Sequence, residues 1–341
     1  MTLRVLRPGV LATVQDLGRR GLGHLGVVAG GAMDPVSHRV ANALVGNRGD
    51  AATLEVALLG PELLIGCDAL VALHGGEFAA EIDGAPLPQS RPVLLPADAR
   101  LRIGRVTAGC FGYLAVAGGL HVDPVLGSRS TYLAGGFGGW RGRSLARDAE
   151  LPFAEGAEAL AHARFARVTA RHRIVALGRC QTVRWLAPPI TLPEHDGSVI
   201  RAVDGLHSGL FDKAARALFF GERWRIAPDS NRMGFRLLGP RLALAGPAEI
   251  LSQATCLGTV QVPPGGQPIV LMADHQTTGG YPGIAEVIAA DVPRLAQLKP
   301  SASVRFAEVT LADADAAREA ACTLVDQLVE RILWEFGNEG D

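Results

Sequence analysis

The chain has 341 residues, 33 basic side chains against 34 acidic ones, and 48% hydrophobic residues, enough for buried cores and, by length, for two domains. Two of the basic residues are lysines, Lys213 and Lys299; they follow Asp212 and Leu298 rather than a glycine loop, which excludes a Walker A phosphate loop, and the near-neutral balance argues against a nucleic-acid partner. The 42 Gly and 21 Pro make up about 18% of the chain against roughly 12% in average usage, the mark of many tight turns.

The start, Met1 to Gly9, has no apolar run of signal-peptide length. The longest uncharged stretch, Ile250 to Ala273, is broken by Pro263, Pro264, Gly265 and Gly266, so no clean membrane span is expected and the expected location is the cytoplasm. Gly21-Leu22-Gly23-His24-Leu25-Gly26 matches G-x-G-x-x-G, but no helix is expected directly after it, which argues against a dinucleotide site. Pro35 to Val45 is predicted as a helix with Asp34 as its N-cap, Pro35 at the first helical position, and Val36, Val40, Ala43 and Leu44 on one face.

Short apolar runs then recur at Leu63–Ile65, Ala69–Leu73, Val93–Leu95 and Leu101–Ile103, a strand-rich pattern. Asp83-Gly84 after Glu77–Ile82 predicts a hairpin with a type I′ turn. Glu155 to Arg173, rich in Ala and Arg, reads as a linker. A second strand-rich region runs from about Gln181 to Phe306. It includes Arg223–Ile226, Thr259–Val262 and Pro268–Met272. The Gly-Pro openings at 60–61 and 239–240 echo each other weakly, as in two related barrels or by chance. The C-terminal segment Asp313 to Phe336 is predicted as a helix, with Leu324, Val325, Leu328, Ile332 and Phe336 at helical spacing. From Glu308 onward nine acidic residues face two arginines. The domain reading is 1–165, 166–310, and an acidic helix and tail over 311–341. The five cysteines are scattered and read as reduced, buried thiols; the nine histidines form no metal-ligand pattern, and no metal site is expected.

Four stretches combine polar side chains with glycines. The first runs from Thr13-Val14-Gln15-Asp16 and Arg19 to Gly30-Gly31-Ala32-Met33-Asp34. The second, Gly127-Ser128-Arg129-Ser130-Thr131-Tyr132 followed by paired glycines, has backbone amides free to converge on an anionic oxygen, or forms a tight loop with capping side chains. The third, Asp229 to Arg236, holds Arg232, which suits either a bidentate carboxylate or phosphate contact or an internal salt bridge. The fourth, Asp274-His275-Gln276-Thr277-Thr278-Gly279-Gly280-Tyr281-Pro282, places an acid, an imidazole and two hydroxyls directly after an apolar strand. Asp274 and His275 are candidates for general acid or base. Thr277 and Thr278 are candidates for polarising a carbonyl.

Taken in order, VQDLGR (14–19), GGAMD (30–34), ATLE (52–55), GSRSTYLAGGFGG (127–139), NRMGFRL (231–237), TVQVP (259–263) and DHQTTGGYP (274–282) resemble the allophanate hydrolase subunit 2, or biotin-dependent carboxyltransferase-like, family from Val5 to about Phe306. The resemblance implies a mainly β fold of two tandem cyclophilin-like β-barrels, with a few short helices and a C-terminal helix. It implies a cyclophilin-like companion, the B subunit. In the form that resembles the C subunit of 5-oxoprolinase it also implies an A subunit, with ATP-driven opening of 5-oxo-L-proline to L-glutamate. The alternatives it leaves open are carboxyl transfer to urea or a related amide, with biotin on a partner because no credible biotin-bearing lysine is present, and a non-catalytic regulator of a kinase-inhibitor homologue of the B subunit. The motifs also supply the small-molecule amide-binding candidates: Gln15, Asp16, Arg19, Asp34, Glu55, Arg129, Ser130, Thr131, Tyr132, Arg232, Gln261, Gln276, Gly279, Gly280 and Tyr281. Two positions depart from the family pattern: His275 stands where arginine is expected, and Asn231 where aspartate is expected.

Overall fold

The computed structural model describes residues 2–192, 198–246 and 250–337, which form two compact units. The first takes residues 1–18, 34–192 and 324–341; the second takes 19–33 and 193–323. The fold is mainly β with five α-helices among the described residues.

The first unit holds β1 (Thr2–Arg7), β2 (Leu11–Gln15), β3 (Thr53–Ala57), β4 (Glu62–Ile65), β5 (Ala69–Ile82), β6 (Ala85–Pro86), β7 (Val93–Leu95), β8 (Arg100–Val116), β9 (Glu150–Pro152), β10 (Val175–Leu177) and β11 (Cys180–Thr182). They form one eleven-stranded sheet in the order β10-β11-β7-β5-β8-β4-β1-β9, with β3 on β8, β2 on β3 and β6 on β5. The two long strands are its spine. β5 pairs along β8, while β4 takes one end of β8 and β3 the other. Strand alternation sends Leu3, Val14, Leu54, Leu73, Leu101 and Leu114, among others, into a single apolar core. The Asp83-Gly84 turn has φ of 50° and 85° at its two central residues and joins Ile82 to Ala85, as a type I′ hairpin requires.

Helix α1 (Pro35–Ala43) packs on the other face of β5 and β8. Asp34 caps it by accepting from the Ser37 amide at 3.0 Å. Its buried face includes polar Ser37, His38 and Asn42 beside Val40, Ala41 and Ala43, and Val36 is half-buried, so the apolar stripe expected from spacing is in fact mixed.

The expected linker is instead helix α2 (Ala157–Thr169), whose Ala157, Ala161, Phe165 and Val168 are buried at one-face spacing. The 165/166 division read from the sequence therefore falls inside a helix of the first unit.

The second unit is a closed seven-stranded barrel: β12 (Ser198–Asp204), β13 (Trp224–Ile226), β14 (Gly234–Leu238), β16 (Thr259–Gln261), β17 (Ile269–Leu271), β19 (Gly283–Val287) and β20 (Ser303–Glu308), ordered β12-β19-β16-β17-β14-β13-β20. A parallel β12–β20 pair closes it. β15 (Gln253–Ala254) and β18 (Thr278–Gly279) make a separate two-stranded ladder. Helix α3 (Lys213–Gly221) is capped by Asp212 and places Phe219 in a stack on Phe306, 4.7 Å between ring centroids. Trp224, fully buried, donates its indole N–H to the Phe219 carbonyl. The Gly-Pro echo does not survive: Gly60-Pro61 leads into β4, whereas Gly239-Pro240 lies in a loop after β14.

Helix α4 (Val292–Ala296) precedes β20, and α5 (Leu311–Trp334) follows it. A reciprocal Thr310–Asp313 capping box starts α5. Of the face predicted there, Val325, Ile332 and Phe336 are buried in the first unit, while Leu324 is exposed. Residues 338–341 of the predicted tail and 193–197 of the second region lie outside the described residues. Of the cysteines, Cys67, Cys110 and Cys180 are buried, but Cys256 and Cys322 are exposed, contrary to the expectation of five buried thiols.

Candidate functional site

In the first unit, the sheet face beneath α1 is polar and buried. Thr13, Glu55, Tyr113 and His74 stand opposite one another across β2, β3, β8 and β5, so their side chains share that face. The Tyr113 hydroxyl donates to Glu55 Oε2 at 2.9 Å and accepts from the Asp34 amide at 2.7 Å. Burial, with Glu55 and Asp34 nearby, pushes the phenol far above its ordinary range, so it stays protonated. Asp34 Oδ2 accepts from the Ser37 and Thr191 hydroxyls, each at 2.6 Å. His38 binds Thr53 Oγ1 through Nδ1 and the Asn42 amide through Nε2. Burial lowers His38 and His74 to about 4, so both rings are neutral at pH 7.

The Gly127–Gly139 loop does converge on an anionic oxygen, and the anion is Asp16 of the same unit. Ser128 and Ser130 hydroxyls and the Gly18 amide reach Oδ1, and the Arg129 amide reaches Oδ2. Burial pushes this carboxyl up, but the hydroxyl and amide donors outweigh it and hold it below the usual range. The Arg129 side chain donates through Nε to the Val122 carbonyl. Thr131 donates to Val14 O through both its amide and its hydroxyl, and Gln15 Nε2 reaches Thr13 and Thr131. Tyr132 packs edge-on against Phe137. Gly139 has φ +50°, and a Cβ there would overlap Thr131 Oγ1, so this loop closes only on glycine.

In the second unit, Arg232 joins three of the motifs. Its Nε and Nη2 each donate to Asp274 at 2.9 Å, and Nη2 also donates to the Gly31 carbonyl at 2.5 Å. Both partners of the ion pair are 4% exposed. The backbone repeats the link, with the Asp274 amide on Arg232 O. Arg232 thus holds an internal carboxylate, and both Asp274 oxygens are already engaged. Arg19 is buried, and its amide donates to Ala29 O.

His275 Nδ1 lies 2.7 Å from the Gln276 carbonyl, which can only accept; the proton is therefore on Nδ1 and the neutral ring keeps Nε2 as its acceptor. Burial lowers this histidine, partly offset by Gln276 and Asp274, so the ring stands uncharged where the resemblance implies an arginine. Asn231 Oδ1 accepts from the Met233 amide at 2.8 Å, a turn bond that an aspartate would make equally well. Thr277 receives the Thr255 amide on its carbonyl, and Thr278 and Gly280 are exposed.

Gln261, Gly279 and Tyr281 line a cleft of about 120 Å³ together with His207, Gln253 and Glu286. Sequence reading missed the last three: His207 and Gln253 stand alone beside turn residues, and Glu286 stands alone among the apolar residues of β19. His207 Nδ1 accepts from the Gly283 amide at 3.1 Å, and its Nε2 lies 2.9 Å from Gln253 Nε2.

A β-sheet with a buried polar face, next in sequence to a closed barrel carrying an arginine-clamped polar loop, matches one protein class: residues 25–308 match the carboxyltransferase domain, subdomain A and B, and the chain belongs to that family. It is 36% identical to the 5-oxoprolinase C subunit of Escherichia coli (strain K12) over 99% of each chain, and 36% identical to the Haemophilus influenzae protein of that name over 95% of this chain and 96% of the other. The crystal structure of the K. lactis urea amidolyase superposes with a TM-score of 0.83 at 29% identity, covering 96% of this chain. This chain spans 20% of that larger one. Among the described residues no helix is long and apolar enough to cross a membrane.

Proposed function

We propose that the chain is the C subunit of a cytoplasmic, ATP-dependent 5-oxoprolinase complex, opening 5-oxo-L-proline to L-glutamate together with the A and B subunits. The carrying observation is near-full-length similarity to two proteins named as the C subunit of 5-oxoprolinase, along motifs whose polar residues are buried and mutually bonded. Of the arginines expected to hold phosphate, Arg232 is taken up by Gly31 and Asp274, and Arg129 donates through Nε to the Val122 carbonyl. In this reading the nucleotide is held on a partner.

Within this reading, Asp274 positions the 275–281 loop through Arg232, and His275 Nε2 is the loop's proton acceptor. The test is reconstitution with the cognate A and B subunits and an assay of glutamate release. The chain alone is inactive, and the three-component mixture couples ATP hydrolysis to 5-oxoproline. Alanine at His275 lowers turnover by about 100-fold, the usual scale for a lost acid–base group; unchanged turnover removes that role. A second reading, carboxyl transfer to urea or a related amide with biotin on a partner, is favoured by the superposition on urea amidolyase. Urea-dependent consumption of a carboxylated biotin partner would replace the first reading with this one.

A further inference from the structure

The cleft on the barrel unit has a composition that selects one kind of ligand. Among its lining residues there is a carboxylate, Glu286, and no lysine or arginine, so an anionic group finds no counter-charge there. Gln261 is 4% exposed, and its Oε1 accepts from Gln276 Nε2 at 3.3 Å, which turns its NH₂ group toward Gly279 on the cleft wall. A Cβ on Gly279 would stand 2.8 Å from that nitrogen, so the wall is open only with glycine. A register shift between Val260 and Gln261 aims the side chain, and Glu286 lies across the same ladder, opposite Thr259. An acceptor and a donor thus project from adjoining strands. At the rim, Leu206 and Tyr281 are 79% and 48% exposed and set apolar surface beside a polar floor.

A cis amide in a small ring presents N–H and C=O side by side on one edge and methylenes on the other. We propose that this cleft binds the amide edge of a small lactam, with Glu286 accepting from its N–H, Gln261 donating to its C=O, and Leu206 and Tyr281 covering the ring carbons. The inference rests on the amide-opening reading for its ligand class, and it places the amide, rather than a carboxylate, inside the cleft of this chain.

The probe is 2-pyrrolidinone, a lactam without a carboxylate, titrated into the full chain by calorimetry and saturation-transfer NMR. It should bind and be displaced by 5-oxo-L-proline. N-Methyl-2-pyrrolidinone, which lacks the N–H, should bind at least about tenfold more weakly, the scale of one lost hydrogen bond to a charged acceptor. Gly279→Val, which fills the cleft, should lower affinity by at least the same factor. Absence of 2-pyrrolidinone binding overturns the inference, as does equal affinity for the N-methyl probe, a comparison that needs no variant to fold. If a folded Gly279→Val chain supports full turnover in the reconstituted complex, the cleft is ruled out and the 5-oxoprolinase reading stands. If the chain binds lactam while the complete complex releases no glutamate, that reading fails and the cleft stands.

Discussion

Arg232 and Asp274 form a pair whose value lies in not being broken. Arg232→Ala leaves a buried carboxylate without its cation and should cost about 3–5 kcal/mol, whereas replacing both by Met and Leu should recover most of that loss. Urea denaturation of the three proteins checks this, and a double variant no more stable than Arg232→Ala contradicts it. Arg232→Lys should fall between the alanine variant and the wild type, because it keeps a cation but an ammonium cannot span both Asp274 oxygens and the Gly31 carbonyl.

The titration of single residues sets the acid limb of stability. His38 and His74 take up a proton at about 4 when folded and near 6.5 when unfolded, so between those values the unfolded chain binds more protons. Their contribution is complete above pH 6.5, falls as pH drops below it, and levels off below about 4; each histidine is worth up to about 3 kcal/mol over that window. His74→Gln should lower the slope of stability against pH between 6.5 and 4 by that histidine's share. Asp16 works in a lower window. Its folded pKa is depressed, so its contribution is present above the unfolded value of about 3.9 and is lost as pH falls through the folded value. The stability gap between Asp16→Asn and wild type should therefore shrink only in that acid range, as read by denaturation at pH 2 to 5.

At the scale of elements, α1 is held by its cap as well as by its buried face. Asp34→Ala removes the Ser37 amide bond and both hydroxyl bonds to the carboxylate, leaving the Ser37 and Thr191 hydroxyls only each other, so the cost should exceed the ~1 kcal/mol typical of a cap alone and reach about 2 kcal/mol. A thermal shift smaller than that of a surface Asp→Ala control counts against it. The end of α5 is a second fastening. Arg39 binds Asp326, Arg171 stacks 4.1 Å over Trp334 and His172 binds Glu335, while Val325, Ile332 and Phe336 are buried. Ending the chain at Thr323 should lower the melting temperature of the first unit by more than 10 °C, since several buried apolar side chains, at roughly 1.5–3 kcal/mol each, are lost. Hydrogen exchange should then quicken in α2.

For the whole molecule, the polar residues named by the motifs fall into local assemblies within each unit. The loop around Asp16 and the layer around Asp34 belong to the first, and the Arg232 clamp and the cleft beside Glu286 belong to the second. This arrangement is in keeping with the proposed role of a component that shapes sites around other groups. It also explains the glycines: Gly139 and Gly279 are needed where polar side chains approach the backbone closely.

Local pattern by itself determined the strands with alternating apolar residues, the Asp83-Gly84 hairpin, the capped α1 and the C-terminal helix, because each is encoded within a few neighbouring residues. The ordered motifs likewise determined the family. The partners of those motifs could not be read this way. That Asp274 is held by Arg232, 42 positions away, and Asp16 by Ser128 and Ser130, more than 100 positions away, depends on strand pairings that bring distant segments together. Tertiary structure also turned the Ala- and Arg-rich stretch over 157–169 into a packed helix, and it assembled His207, Gln253 and Glu286 into one cleft, because burial and proximity are properties of the folded chain and leave no mark on spacing.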